Sequence, residues 1–179
     1  PADSRWLPFF RKMRELGLPL MCHTGPERAV RCSGPMVFGP AGLEAVLDEG
    51  LTVIASHAGT GTFLEGSSGF GAMVRLMERH ERLYADSSAV VQMFRWQWVR
   101  RLGRHELVRS RLLHGSDYPV PISTLPWGAL NPVSWWRTGW VRSAFARDFA
   151  VKEAAGYGRE TALRSARVLG VAAAPDAAG

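Results

Sequence analysis

LTVIASHAG, residues 51–59, is an apolar, β-branched run that ends on His57 and is followed at once by Ala58-Gly59. Two further short apolar runs end the same way. LPLMCH (18–23) closes on His23 before Thr24-Gly25, and RLLHGSD (111–117) closes on Asp117 before Tyr118-Pro119. A fourth, RLYADSS (82–88), carries Asp86. Nearly continuous apolar runs of this length suit strands buried on both faces. The stretches between them have apolar residues at helical spacing. They are residues 3–16, 40–50 (stopped by Gly50), 70–80, and an Arg- and Trp-rich segment over 90–109 with a break near Gly103. Strands alternating with helices predict βα units and an α/β fold built on about four parallel strands. In such a sheet the C-terminal ends of all strands lie on one side, where ligands bind. His23, His57 and Asp117 are therefore expected to converge.

The chain around these runs has the composition of a globular domain. Its 179 residues are 46% hydrophobic and 21% charged, which excludes a disordered or collagen-like chain. No apolar stretch approaches the ~18 residues of a membrane span. The net charge is +6, and all but two of the 22 basic residues (Lys12 and Lys152) are arginine. That balance permits contact with an anion, but no run of five like charges forms a basic tail. Within residues 90–111 Trp and Arg interleave as in nucleic-acid or membrane-surface segments. Val91, Phe94, Trp98 and Leu102 nevertheless fall on one helical stripe with Arg100 and Arg104 opposite, which reads as an outer helix with a solvated face. Neither a nucleic-acid nor a membrane partner is expected, and homo-oligomerisation is left open. Cys22 and Cys32, without a CxxC pair, predict reduced thiols and a cytoplasmic protein.

Two neutral imidazoles and a carboxylate form a donor set suited to Zn²⁺ or a similar divalent ion, which would lower the pKa of a bound water. Taken singly, each histidine is more often a hydrogen-bonded structural residue; three such residues at matching strand ends are not independent. Glu27 and Arg28, just past His23, lie on a loop at the ligand face and are candidates to touch a polar substrate. Asp86 ends the third run and could lie near the site. His80 and His105, on charged helix stretches, read as structural or solvent-facing, His114 as packing, and Cys22 as a core residue on the face opposite His23. Residues 118–139 hold Pro119, Pro121, Pro126 and Pro132 with Trp127, Trp135 and Trp136. They read as a long functional loop, either a lid or a contact for a partner chain. Two helices are expected over 140–155 and 158–169. The tail 171–179 is expected to be flexible, leaving 1–170 as the structured part.

His23-Thr24-Gly25, Ser56-His57-Ala58-Gly59, Gly115-Ser116-Asp117-Tyr118-Pro119 and the closing segment 162–170 together resemble the amidohydrolase superfamily. Within it they are most similar to the amidohydrolase-related branch that includes the aminocarboxymuconate-semialdehyde decarboxylase type. The resemblance implies the C-terminal half of a (β/α)₈ TIM barrel, strands five to eight, with a divalent metal, zinc above others. His23 would be a metal ligand; His57 would be a ligand or would orient water or polarise a carbonyl; Asp117 would be both ligand and proton shuttle. The implied activity is metal-dependent hydrolysis of a small molecule, with activated water attacking a carbonyl-type centre. A decarboxylase of an unsaturated or aromatic acid, with Arg28 or Arg137 holding the carboxylate, is the alternative on the same fold. A non-catalytic remnant or binding module is the alternative outside it. No His-x-His pair occurs in the chain, so the family's first two ligands have no counterpart and the length falls short of a full barrel.

Overall fold

The computed structural model describes residues 3–25, 40–62 and 69–171. Four strands form one sheet: β1 (Leu20–His23), β2 (Val53–Ser56), β3 (Leu83–Asp86) and β4 (Leu112–Leu113). Their order is β1-β2-β3-β4 and every pairing is parallel. Parallel neighbours need crossover connections. These contain a 3₁₀ turn at Pro40–Leu43 with α2 (Glu44–Asp48), then α3 (Phe70–Arg79), then α4 (Gln97–Arg104) with α5 (Glu106–Ser110). Helix α1 (Leu7–Glu15) precedes the sheet; α6 (Leu125–Leu130), α7 (Pro132–Gly139), α8 (Ala144–Ala154) and α9 (Glu160–Val168) follow it. The chain is a partial (β/α) barrel.

The register sorts the strand residues into two faces. Cys22, Ala55, Ala85 and Leu112 are partners along one row; with Leu20, Val53 and Leu83 they face the helices and belong to, or pack on, the main core. Helix α3 places Phe70, Met73, Leu76 and Met77 on that core. Helix α4 adds Trp98, Val99 and Leu102. Full burial of an aliphatic or aromatic side chain of this size contributes about 1.5–3 kcal/mol. The alternate residues Met21, His23, Ile54, Ser56, Tyr84 and Asp86 share the other face. At β1 that face is open: Met21 is 58% exposed.

Three expectations need correction. The fourth run does not stay in the sheet as far as Asp117. Its ladder stops at Leu113 because the His114 N–H turns to the Ser165 hydroxyl (2.9 Å) on α9 and the Gly115 N–H to the Ser87 hydroxyl (3.3 Å). Asp117 lies four residues beyond β4. Residues 118–139 are not one loop but contain α6 and α7. Pro126 and Pro132 sit in the first turns of these helices, where a missing N–H costs nothing, and the Asn131 side chain caps the Ser134 N–H (3.1 Å). Trp127 is buried rather than offered to solvent.

Lastly, the helical stripe read over 90–102 does not hold at Phe94, although the expected break near Gly103 does occur, with α4 ending at Arg104 and α5 starting at Glu106. Between the two helices the chain turns extended at His105. A Cβ on Gly103 would meet the Ala155 carbonyl oxygen at 2.5 Å, so this glycine serves a close helix–chain contact. Because α4 begins only at Gln97, Phe94 falls off the stripe and is exposed, whereas Val91, Trp98 and Leu102 are buried. The tail 171–179 lies, apart from Val171, outside the described residues. Among the described residues no helix is long and apolar enough to cross a membrane.

Candidate active site at the strand ends

His23 is the last residue of β1, and His57 directly follows β2. Their rings meet edge to face with centroids 4.8 Å apart. His57, Ala58 and Gly59 form a left-handed turn with φ of 62°, 53° and 66°. For residues with a Cβ this conformation costs roughly 1–2 kcal/mol each, so the turn must be held from outside. Two neighbouring strand ends hold it. The Asp86 carboxylate accepts from the His57 N–H (2.9 Å), and the Thr24 hydroxyl accepts from the Gly59 N–H (3.0 Å) while donating to the Ser56 carbonyl (2.6 Å). Thr60 closes the turn, its hydroxyl donating to the His57 carbonyl (2.6 Å). Gly25, at φ +136°, is required beside this turn, because a Cβ there would lie 2.9 Å from the Thr60 carbonyl oxygen. Strained backbone fixed by several strands is a mark of a functional site.

A short polar chain is buried behind His57. Asp86 Oδ1 accepts from the His57 and Ser88 N–H groups (2.9 and 3.0 Å) and from the Ser88 hydroxyl. That hydroxyl lies 2.7 Å from His57 Nδ1, and the Ser88 carbonyl oxygen lies 3.4 Å from it. Burial lowers the His57 pKa below its ordinary 6.5. The negative charges of Asp86 and Asp117 act against that shift, while Arg95 and His23 act with it. His57 is therefore neutral near pH 7. His23 Nε2 is 3.2 Å from the Gly25 carbonyl oxygen, which can only accept, so that nitrogen is the donor. Asp117 stands in a turn at φ +66°, and its Oδ2 accepts from Gln92 Nε2 at 3.4 Å. Cys22 points to the core face, and burial raises its thiol pKa.

A second buried cluster backs the segment that carries Asp117. Lys152 on α8 is 1% exposed, and its ammonium donates to the Gly115 carbonyl (2.6 Å) and to Asp148 Oδ2 (2.5 Å). Burial lowers the Lys152 pKa against the pull of Asp148, Asp86 and Asp117. Burial likewise raises Asp148 to about 6 against Lys152. His114 sits with Nε2 3.7 Å from Asp148 Oδ2 and its ring against Phe149. The sequence leaves the role of Asp86 undecided and does not single out Ser88 or Lys152. The available signals were Ser88 two residues past Asp86, and the Asp148–Lys152 spacing of four in a helix whose neighbours are Phe149 and Val151.

Of the two readings of His80 and His105, the contacts favour the structural one, and both are partly buried: His80 Nε2 is 4.0 Å from Asp48, and His105 packs its ring edge on Phe70. Glu27 and Arg28 lie outside the described residues. Arg137 lines a cleft of about 560 Å³ with Glu153, Asn131 and Thr138, a lining that includes none of the strand-end residues.

The divalent ion implied for this kind of site needs three protein ligands in good geometry. Among the described residues no group of three or more His, Cys, Asp or Glu side chains could hold a metal ion. His23, His57 and Asp117 do not by themselves form that shell, and His23 Nε2 is already committed to a carbonyl. The residues described here do not fit the ion.

The amidohydrolase family model matches residues 1–131. Among solved structures, the chain is similar to that of a provisionally assigned 2-pyrone-4,6-dicarboxylic acid hydrolase from Pseudomonas putida. The two share 18% identity at a TM-score of 0.59, covering 94% of this chain and 57% of that one. The chain thus spans little more than half the length of this structural relative, and the likeness concerns the fold. No curated protein matches the sequence significantly. With a match over residues 1–131 and a sheet of parallel strands meeting at His23 and His57, the chain belongs to the amidohydrolase family.

Proposed function

We propose that this chain carries part of a hydrolytic site in which water attacks a carbonyl-type centre of a small molecule. The observation that carries the reading is the neutral, buried His57, held in a left-handed turn beside His23 with the charges of Asp86 and Asp117 acting on it. In the reaction the water oxygen bonds to the carbonyl carbon and the bond to the leaving group breaks. Asp117 takes a proton from the water and passes it to the leaving group. His57 acts on the same water or on the carbonyl. The name of the structural relative, a hydrolase of a pyrone dicarboxylic acid, supports cyclic and open-chain esters as the first substrates to try. The reading includes the placement of β1–β4 as strands five to eight; its support is the resemblance at His23-Thr24-Gly25, Ser56 to Gly59 and Gly115 to Pro119.

The test is acid release from a panel of small lactones, esters and amides by the full-length gene product. Asp117→Asn and His57→Ala are each expected to lower turnover about 10²–10⁴-fold, the usual range for losing acid–base assistance. Turnover equal to wild type in both variants overturns the reading.

A further inference from the structure

We propose that Ser88 is a positioning residue that locks His57 as the Nδ1–H tautomer, so that His57 orients the attacking water through Nε2 instead of polarising the carbonyl. The argument follows the protons. Asp86 Oδ1 already receives the N–H groups of His57 and Ser88, so it is an acceptor toward the Ser88 hydroxyl as well. The hydroxyl has a single hydrogen. With that hydrogen on Asp86, Ser88 Oγ can only accept from His57 Nδ1, 2.7 Å away. The Ser88 carbonyl oxygen, 3.4 Å from the same nitrogen, can likewise only accept. Both contacts place the proton on Nδ1. In a neutral imidazole the lone pair is then on Nε2.

The chemical consequence separates two roles. A neutral ring polarises a carbonyl only by donating a hydrogen bond, and Nε2 in this tautomer has none to donate. It accepts one instead. A water between His57 and Asp117 would give one hydrogen to Nε2 and the other to the Asp117 carboxylate, leaving an oxygen lone pair for the carbonyl carbon. This role rests on the hydrolytic reading above; the tautomer does not. Gly115 adds a steric element, since a Cβ there would meet Ser88 Cβ at 3.3 Å and Asp86 Cγ at 3.6 Å, and its absence lets the strand-end segment close over the pair.

The experiment is long-range ¹H–¹⁵N correlation of histidine-labelled protein at pH 7.5, with the His57 signals assigned from His57→Gln. Wild type is expected to show a protonated Nδ1 and an unprotonated Nε2; the reverse pattern overturns the proposal. Ser88→Ala is expected to shift the ring toward the Nε2–H form, and Ser88→Thr to restore Nδ1–H. A Ser88→Ala spectrum identical to wild type also overturns it. If Ser88→Ala does not fold, Ser88→Gly, which also removes the hydroxyl, replaces it with the same expected shift and the same overturning result. In the active full-length product Ser88→Ala should lower kcat about 10–100-fold, the range for partners that orient a reacting ligand, with KM unchanged. The spectrum reads the tautomer whether or not turnover is found. A wrong tautomer leaves the hydrolytic reading standing, and an inert His57 leaves the tautomer standing.

Discussion

The two ends of the sheet are built on different physics. At the N-terminal ends of the strands, arginines reach across to backbone carbonyls. Arg14 donates to Glu49 (2.7 Å) and Arg82 to Gly50 (3.2 Å), Arg111 to Met77 and His80 (2.7 and 2.8 Å), and Arg164 to Leu112 (2.6 Å). Most of these carbonyls lie at or just beyond helix C-termini, where the last turn leaves acceptors unpaired and a cation is favoured. At the C-terminal ends the contacts are short hydroxyls and buried carboxylates around a left-handed turn. The first end spends part of the +6 charge on closing the fold, while the second concentrates strain and titratable groups. That is the division a (β/α) barrel makes between its stabilising and its reactive faces.

The comparison is broken most forcefully at Lys152. If the C-terminal side depends on buried charge, Lys152→Met leaves Asp148, 1% exposed, without its partner and should cost about 3–5 kcal/mol in urea unfolding at pH 7. Replacing both residues, Lys152→Met with Asp148→Leu, should recover most of that loss, because an apolar pair of similar volume tolerates the site. A single variant as stable as wild type would show that the ammonium does not hold the Gly115 segment.

His114 gives the next effect, and it depends on pH. Burial, with Lys152 adding to it, depresses its pKa from 6.5 to about 4. The folded chain thus resists a proton that the unfolded chain accepts. The stabilisation is complete above pH 6.5 and is lost as the pH falls through about 4. The shift corresponds to about 3 kcal/mol. Asp148, raised to about 6, works in the opposite sense, losing stability as the pH rises from 3.8 to 6. The wild-type curve is therefore flattened by cancellation, and the informative quantity is its difference from His114→Phe. That difference should be constant above pH 7 and move against wild type by up to about 3 kcal/mol between pH 6.5 and 4. A difference independent of pH would remove His114 from the linked groups.

How far these features could be read beforehand depends on the distance over which they are made. The β1 and β2 ends were legible because a short apolar run stopping at His-x-Gly is a local pattern. The end of the fourth strand was not, since β4 stops where α9 intervenes through Ser165, 51 residues from His114. The prolines of 118–139 mark loops and first helical turns alike, and only the Asn131 cap with the burial of Trp127 decides between them. Ser88 and Lys152 act across 31 and 37 residues of chain. No spacing rule reaches that far, so the contacts of Ser88 with His57 and of Lys152 with the Gly115 carbonyl became visible only in the fold.

At the other end of the sheet Arg111 tests the opposite expectation. Its guanidinium satisfies two carbonyls at the end of α3. Arg111→Met should cost about 1–2 kcal/mol, the net worth of two charge-assisted bonds to partly solvated acceptors that water can replace. A cost equal to that of Lys152→Met would erase the distinction between the two ends.

The smallest effect belongs to Arg11 and Glu49, a bidentate pair with both bonds at 2.7 Å. The geometry is good, but the Arg11 side chain is 53% exposed, and exposed pairs gain little once side-chain entropy and screening act on them. Arg11→Gln is expected to lower the unfolding midpoint only at low ionic strength. The deficit should disappear near 1 M salt, where the screening length falls to about 3 Å. Arg111→Met should keep most of its deficit in the same salt, because its partners are partly buried carbonyls rather than a solvated carboxylate. If instead both deficits vanish together, the arginines at this end act as a diffuse surface charge, and their bonds to helix-end carbonyls contribute nothing specific to the fold.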